Sequence, residues 1–206
     1  MNFKTEQEIF WAGEFGTNYI KRNSSEEYLA SNLNFFAKTF ERISKPVSII
    51  EFGSNIGMNL KAIKLLFPSI LLSAIEINEN AVHELKKIVE EGNIHFGSIF
   101  DFHPIQKHEI SLIKGVLIHI NPEMLQEVYQ KLYDASSKYI LVCEYYNSSP
   151  VSIPYRGESD KLFKRDFAGE MLDKFKDLKL SDYGFVYCRD PAFPQDDITW
   201  FLLEKC

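Results

Sequence analysis

Short apolar runs alternate with helix-like segments along most of this 206-residue chain, and that alternation restricts the fold more than any other feature. The strand-like runs, each short and rich in Ile, Leu or Val, are 47–51, 70–77, 94–96, 110–114 and 139–144. The helix-like segments are 24–43, 58–67, 80–90 and 121–133. Strands and helices that alternate at this spacing predict a parallel sheet covered by helices on both faces.

The two ends of the alternating region carry further signals. Ser24 and Glu27 form a capping-box pattern at the start of the first predicted helix. The C-terminal part differs, since 178–188 and 199–204 are strand-like runs with no helix between them. A link that short joins antiparallel strands, so a C-terminal antiparallel pair is predicted.

The predicted fold class is therefore α/β, a doubly wound and mostly parallel seven-stranded sheet with a C-terminal antiparallel strand. The length suits a single domain over residues 1–206. Within it, residues 1–45 are predicted to form an N-terminal helical lid and residues 46–206 the core. An insertion near 146–166, after the fifth strand, is the expected place for substrate recognition.

Charge and composition argue against several classes of protein. The net charge of −6 disfavours a nucleic-acid-binding surface, because such domains usually carry a basic face. No run reaches the ~20 apolar residues that span a bilayer, and the N-terminal residues lack the pattern of a signal peptide. The three cysteines are scattered, which predicts reduced thiols in a cytoplasmic protein and no zinc site.

The turn after the first strand, from Glu51 through Gly53 to Gly57, is the strongest site signal. Ligands of doubly wound sheets bind beyond the carboxyl ends of the strands. The two glycines allow a tight turn and a close ligand, and the next helix offers free N–H groups. The spacing is not Gly-x-Gly-x-x-Gly, and Glu51 would repel a pyrophosphate but suits an ammonium group. The alternative is a plain strand-to-helix turn with a solvated glutamate.

The ends of the second and third strands supply further candidates. Glu76, about 20 residues past the glycine turn, is placed to accept both hydroxyls of a ribose. Ile77 is placed to pack on an adenine ring, and Ser98 with the Ile99 N–H to meet the adenine edge. The alternatives are a surface Glu76 that caps the next helix and an ordinary turn at Ser98.

The segment after the fourth strand brings Lys114, Gly115 and His119 to the same edge of the sheet. Gly115 lets the chain pass close to a ligand, and His119 would then face the substrate. A histidine serves as general base for a hydroxyl or an amine near neutral pH. The alternative is a structural histidine that holds the start of the helix at Asn121.

Together these segments resemble the class I S-adenosylmethionine-dependent methyltransferases, whose fold is Rossmann-like, from about residue 47 to the end. The resemblance implies S-adenosylmethionine as cofactor, direct methyl transfer and no metal ion. Two positions depart from the family: Asn55 stands where many members have glycine, and Ser98 where many have an aspartate on the adenine amine. The expected cofactor-binding residues are Trp11, Arg22, Glu51, Gly53, Ser54, Gly57, Glu76, Ile77, Ser98, Ile99, Lys114 and Gly115.

A narrower resemblance involves segments 10–23, 114–119 and 144–157, together with Asn55 and Asn59 of the glycine turn. These look like the methylases associated with pseudaminic acid biosynthesis in bacteria. That resemblance implies a small, sugar-like and acidic acceptor. The methylated group would be a hydroxyl or an amine of a nonulosonic-acid sugar or of a related surface-glycan intermediate.

The flanking segments make physical sense as a lid and a substrate clamp. Trp11 is placed to cover the cofactor, and Arg22 to pair with its carboxylate. Tyr155, Arg156 and Arg165 are the candidate substrate-binding residues, since an arginine fork suits a carboxylate or phosphate. Core packing for the aromatics and a solvated helix face for the charges are the alternatives.

Two other functions stay open on the sequence. One is a protein that binds S-adenosylmethionine without turnover, as a partner in glycan synthesis. The other is a nicotinamide-dependent oxidoreductase, which Glu51 and the missing Gly-x-Gly-x-x-Gly disfavour. No nucleic-acid or membrane partner is expected, and the oligomeric state is not predicted.

Overall fold

The computed structural model describes residues 3–20, 24–155 and 158–206. Its helices are α1 (Glu6–Ala12), α2 (Glu14–Ile20), α3 (Glu26–Thr39), α4 (Met58–Leu66), α5 (Glu79–Leu85), α6 (Leu125–Ala135) and α7 (Phe167–Lys174). Its strands are β1 (Ser48–Phe52), β2 (Leu71–Glu76), β3 (Ile94–Phe96), β4 (His108–Lys114), β5 (Ser136–Glu144), β6 (Val151–Tyr155), β7 (Glu158–Lys164), β8 (Leu178–Val186) and β9 (Ile198–Lys205). Short 3-10 turns include Ile99–Asp101 and Leu117–His119.

The main sheet has seven strands in the order β3-β2-β1-β4-β5-β9-β8. Strands β1 to β5 run parallel, and β9 lies antiparallel between β5 and β8. The strand order reverses beside β1, because the chain moves outward to β2 and β3 and then returns to β4 on the other side. This arrangement confirms the predicted mostly parallel α/β sheet with a C-terminal antiparallel strand.

The predicted elements lie within a few residues of the observed ones, with two corrections in the helices. The N-cap of α3 is Ser25 rather than Ser24, since the Ser25 side chain accepts a hydrogen bond from the Tyr28 N–H. Helix α5 begins after Asn78 and ends at Leu85, which is five residues short of the predicted end at residue 90. Helix ends depend on local capping, which the apolar pattern does not record.

Helices cover both faces of the sheet because neighbouring residues of a strand point to opposite sides. Ile49 of β1 packs in a buried cluster with Phe36 of α3 and Leu60 of α4. Ile50 belongs to a second cluster with Val128 of α6 and Met171 of α7. Because α3 packs in this core cluster, it is not part of a lid, and the lid stays a prediction for α1 and α2 only.

Strands β6 and β7 form a separate antiparallel hairpin inside the predicted insertion near 146–166. Within the part of the chain that the structure describes, no helix has the length and apolar character needed to cross a membrane. The described residues also contain no group of three His, Cys, Asp or Glu side chains arranged to hold a metal ion.

Candidate functional site

A cavity of about 190 Å³ lies at the carboxyl ends of β1, β2, β3 and β4. Its walls come from the loops after these strands, from α1 and α2, and from the loop between β8 and β9. The predicted residues that line it are Trp11, Gly53, Ser54, Glu76, Ile77, Ser98, Ile99, Lys114, Gly115 and His119. The structure therefore brings most of the predicted cofactor site together with His119 around one cavity.

The turn after β1 has left-handed backbone at three residues, with φ of 74° at Gly53, 48° at Asn55 and 78° at Gly57. Asparagine tolerates this conformation better than most residues, which explains how Asn55 replaces a glycine. A Cβ on Gly53 would lie 2.7 Å from Cγ2 of Val116, and one on Gly57 would lie 2.6 Å from Cδ1 of Leu85. Both glycines are therefore required by neighbouring side chains as well as by the backbone angles.

Three buried oxygen atoms of this turn and the following helix have no hydrogen-bond partner: Oε2 of Glu51, Oδ1 of Asn55 and Oδ1 of Asn59. Glu51 is 1% exposed, and its Oε1 accepts a 2.6 Å hydrogen bond from Nδ2 of Asn59. Burial raises the pKa of Glu51 to about 8, although the Asn59 bond and the Lys114 charge oppose this. Asn55 and Asn59 line the cavity, whereas the predicted cofactor residue Glu51 does not. A ligand with N–H donors would therefore satisfy Oδ1 of the two asparagines, and Glu51 acts from behind them through its bond with Asn59.

Glu76, at the end of β2, holds the same turn from the other side. Its Oε2 accepts a hydrogen bond from the Asn55 N–H at 2.6 Å, and its Oε1 accepts one from the Asn78 N–H at 2.7 Å. Each oxygen keeps a second lone pair for a ligand hydroxyl. Burial raises the pKa of Glu76, and these hydrogen bonds partly offset it. Glu76 is 6% exposed, so the alternative of a surface glutamate is wrong.

Ser98 and Ile99 line the cavity beyond β3, where the sequence predicts them. The Ser98 Oγ accepts a hydrogen bond from the Phe100 N–H at 3.0 Å and so caps the 3-10 turn Ile99–Asp101. One lone pair of the Ser98 hydroxyl therefore holds this turn, which leaves its O–H and its second lone pair for other partners.

Lys114 and Gly115 lie where β4 ends. A Cβ on Gly115 would meet no atom within 4 Å, so this glycine leaves open space beside the cavity. The Lys114 Nζ lies 3.3 Å from the Tyr28 hydroxyl and 5.4 Å from the centre of the Tyr28 ring. Burial favours the neutral amine, but Tyr28, Cys143 and Glu51 outweigh it and raise the pKa of Lys114. Lys114 therefore supplies a cation to the wall.

Glu144, at the end of β5, is a site residue to which the sequence assigns no role. Its Oε1 accepts hydrogen bonds from the N–H groups of Val116 at 3.0 Å and Leu117 at 2.9 Å, and its Oε2 accepts one from Ile118 at 3.4 Å. Burial raises the pKa of Glu144 to about 7. This carboxylate fixes the loop that carries His119, and its only sequence signal is a glutamate that closes an apolar strand.

His119 is 7% exposed and lies among aromatic rings. Its ring centre is 4.8 Å from that of Trp11 and 5.0 Å from that of Tyr155. Nδ1 lies 2.6 Å from the carbonyl oxygen of Lys161, so Nδ1 carries the proton and Nε2 is the acceptor. Burial lowers the pKa of His119 to about 4, which keeps the ring neutral at physiological pH. Such a ring accepts hydrogen bonds but is a weak base.

Helices α1 and α2 are anchored to the loop after β2 by Asn78, a contact that sequence reasoning missed. Nδ2 of Asn78 lies 3.2 Å from the Trp11 carbonyl oxygen and 3.2 Å from the Thr17 hydroxyl. A Cβ on Gly16 would lie 1.9 Å from the same Trp11 carbonyl oxygen, so Gly16 is needed for this packing. In the structure Asn78 is the N-cap of α5, and nothing local in the sequence indicates that its amide also holds a segment 67 positions earlier.

Neither Tyr155 nor Arg165, the predicted substrate-binding residues that the structure describes, lines the cavity. Arg165 is not a wall residue: its Nε lies 2.5 Å from Oε1 of Glu170, whose Oε2 accepts a hydrogen bond from the Tyr129 hydroxyl at 2.7 Å. Tyr155 packs on His119 without lining the cavity itself. The predicted residues Arg22 and Arg156 lie outside the described residues.

Methyltransferases of known structure share this fold. An S-adenosylmethionine-dependent methyltransferase from Leishmania major aligns with a TM-score of 0.72 at 11% identity, covering 96% of this chain and 81% of that chain. Magnesium protoporphyrin IX methyltransferase from Synechocystis PCC 6803, with bound S-adenosylmethionine, gives 0.69 at 11% identity and covers 100% of both chains. A 1,6-didemethyltoxoflavin-N1-methyltransferase from Burkholderia thailandensis, with bound S-adenosylhomocysteine, gives 0.70 at 11% identity and covers 96% and 86%. No protein-family model and no curated protein matches the sequence.

These likenesses establish the architecture: the chain has the Rossmann-like fold of the class I methyltransferases. Its structural neighbours are S-adenosylmethionine-dependent enzymes, and none of the three is a methylase of pseudaminic acid biosynthesis. The narrower sequence resemblance thus has no counterpart among them.

Proposed function

We propose that this chain is an S-adenosylmethionine-dependent methyltransferase that acts on a small molecule. The observation that carries the proposal is the pair of buried, unpartnered oxygens on the cavity wall beside the turn after β1, Oδ1 of Asn55 and Oδ1 of Asn59. The ammonium group of the methionine part offers three N–H donors and a positive charge, which are what such oxygens lack. The neighbouring enzymes with bound S-adenosylmethionine or S-adenosylhomocysteine support the same ligand.

The other cofactor contacts follow from the order of the strands. Glu76 on β2 would accept the ribose hydroxyls, and Ile77 and Ile99 would flank the adenine ring. Lys114 would pair with the methionine carboxylate, since this amine lines the cavity and its charge acts on Glu51. The open space at Gly115 would accommodate the methyl-donor end.

S-adenosylmethionine, when bound, supplies a methyl group that its sulfonium sulfur already activates for displacement. The protein's task is then to align a nucleophile and to handle one proton. His119 can accept a hydrogen bond from an incoming hydroxyl or amine through Nε2, because the Lys161 carbonyl holds the proton on Nδ1. Its low pKa favours orientation of the nucleophile over strong proton capture.

The proposed acceptor is a hydroxyl or an amine of a nonulosonic-acid sugar or a related surface-glycan intermediate. This part rests on the sequence resemblance of segments 10–23, 114–119 and 144–157. The ring of Trp11, which lines the cavity beside His119, provides a flat apolar surface that suits one face of a sugar ring. Arg156 stays a predicted clamp for the acid group, and the protein is proposed to be cytoplasmic.

The decisive experiment is a turnover assay with methyl-labelled S-adenosylmethionine and small-molecule extracts from a strain that lacks the protein. We expect mass spectrometry to show S-adenosylhomocysteine together with a labelled, methylated sugar. Binding of S-adenosylmethionine without product from any extract would favour the non-catalytic partner in glycan synthesis. Binding of NAD in place of S-adenosylmethionine would refute the proposal in favour of an oxidoreductase.

A further inference from the structure

Glu8 of α1 lines the cavity and is not used by the contacts described so far. It is 7% exposed, and its Oε1 is buried without a hydrogen-bond partner. Its Oε2 accepts hydrogen bonds from the Lys4 N–H at 2.6 Å and the Thr5 N–H at 2.8 Å, which completes the capping box of α1. One oxygen therefore holds the helix start, and the other is available to a ligand that brings an N–H or O–H donor.

Glu8 belongs to the β3 end of the cavity. Lys4, whose N–H binds Glu8, has its ammonium group 3.6 Å from Oδ1 of Asp101 and 5.6 Å from the centre of the Phe100 ring. Both residues lie in the 3-10 turn that follows β3. In the order β3-β2-β1-β4, a ligand with its ribose at Glu76 and its methionine part toward β1 and β4 directs its base toward β3. The base and Glu8 therefore meet at the same end.

We infer that Oε1 of Glu8 accepts a hydrogen bond from the exocyclic amine of adenine and so makes the site selective for this base. The inference rests on the proposed cofactor. At the same end, the uncharged Ser98 hydroxyl already accepts the Phe100 N–H, whereas Oε1 of Glu8 belongs to a carboxylate and has no partner. A carboxylate oxygen attracts the amine of adenine but repels the carbonyl oxygen that hypoxanthine carries at the same position.

The test compares S-adenosylhomocysteine with S-inosylhomocysteine by calorimetry. Wild-type protein is expected to bind the adenosyl ligand about 10- to 100-fold more tightly, as for the loss of a charge-assisted hydrogen bond. Glu8→Gln keeps an oxygen for the Thr5 N–H but presents an amide N–H₂ to the base. This variant should bind the adenosyl ligand more weakly and the inosyl ligand more tightly, so that the preference collapses or reverses.

Glu6→Gln is the matched control, because Glu6 lies on the same helix with its side chain 87% exposed and pairs with Lys161. It should keep the wild-type preference. An unchanged preference in Glu8→Gln, or an equal loss for both ligands, would overturn the inference. A rise in acceptor KM with unchanged base preference would do the same and assign Oε1 to the acceptor. Wild-type protein that binds neither ligand would overturn the proposed function as well, whereas tight binding of both would overturn the base assignment alone.

Discussion

The two ends of the cavity differ in how their buried polar groups are hydrogen-bonded. Around the turn after β1, Glu51 and Asn59 keep buried oxygens without partners, although each such oxygen costs stability. Around His119, the polar groups are satisfied within the protein: Nδ1 donates to the Lys161 carbonyl, and Glu144 accepts from three N–H groups of the loop. The first end therefore leaves acceptors for a ligand with N–H donors, whereas the second is a mainly aromatic frame held by hydrogen bonds within the protein.

The largest expected effect is on kcat, and it distinguishes the His119 end of the cavity from the end at the turn after β1. His119→Ala should lower kcat by about 10²-fold, because the nucleophile loses the hydrogen bond to Nε2 that orients it and a misplacement of about 1 Å can cost this much. Cofactor affinity should be unchanged, because His119 belongs to the aromatic end. His119→Asn retains an amide that can donate to the Lys161 carbonyl, so it should restore the melting temperature but not kcat. Recovery of kcat in His119→Asn would contradict a direct role for Nε2, and parallel loss of cofactor affinity would contradict the separation of the two ends.

The next effect concerns the backbone of the cofactor end. Gly53→Val should lower the free energy of unfolding by ~2–4 kcal/mol and abolish cofactor binding, because it combines a positive φ with overpacking against Val116. Denaturant unfolding and calorimetry measure the two losses. Gly92→Ala is the control, since a Cβ there meets no atom within 4 Å. Normal ligand binding by Gly53→Val would show that the turn is not part of the site.

A smaller effect distinguishes the ends by pH. The pKa of Glu51 is about 8 in the folded state against 4.5 as its ordinary value, so folding takes up a proton. The contribution of Glu51 protonation to the free energy of unfolding is complete below pH 4.5 and is lost as the pH rises toward 8. Between pH 6.5 and 8, the melting temperature of ligand-free wild type should therefore fall more steeply than that of Glu51→Gln. Equal slopes would contradict the raised pKa.

The raised pKa of Glu51 can also be tested by the protons released when a ligand binds. A cationic ligand favours the Glu51 carboxylate, so binding near pH 7 should release a proton, seen as a dependence of the calorimetric heat on buffer ionisation. In Glu51→Gln that release should be smaller. The effect of His119 on the free energy of unfolding has the opposite sign, because its pKa is lowered to about 4. This contribution is lost as the pH falls from 6.5 toward 4, which is below the window used for Glu51.

The smallest effect concerns Arg165, which the sequence suggests as a substrate clamp. Because Arg165 pairs with Glu170 away from the cavity wall, Arg165→Lys should leave both the acceptor KM and the cofactor affinity unchanged. A partly exposed ion pair of this kind is worth ~1 kcal/mol or less, so only a slight fall in melting temperature is expected. A clear rise in acceptor KM would contradict this expectation and show that Arg165 takes part in acceptor binding.

Local pattern explains why much of the fold was predictable. The apolar runs that become β1, β2, β4 and β5 are mostly buried on both faces, so these runs are visible in the sequence to within a few residues. Because parallel strands end at one edge, the residues after each run were also predictable as neighbours. Glu76, Ser98 and Gly115 consequently lie around one cavity. The hairpin β6–β7 was predicted only as an insertion, since the mostly exposed strand β6 lacks a strong apolar pattern.

The sequence by itself determined the parallel sheet, the glycine turn and the set of side chains that end each strand, because these depend on local periodicity and on backbone angles. Tertiary structure alone decided which partners those side chains find. The Asn78 amide donates to the Trp11 carbonyl oxygen 67 positions earlier, and Glu144 accepts hydrogen bonds from the loop before His119. It also decided their chemistry: burial moves the pKa of Glu51 up to about 8 and that of His119 down to about 4. Loss of water around a charge is a property of the packed interior, and no single segment of the chain encodes it.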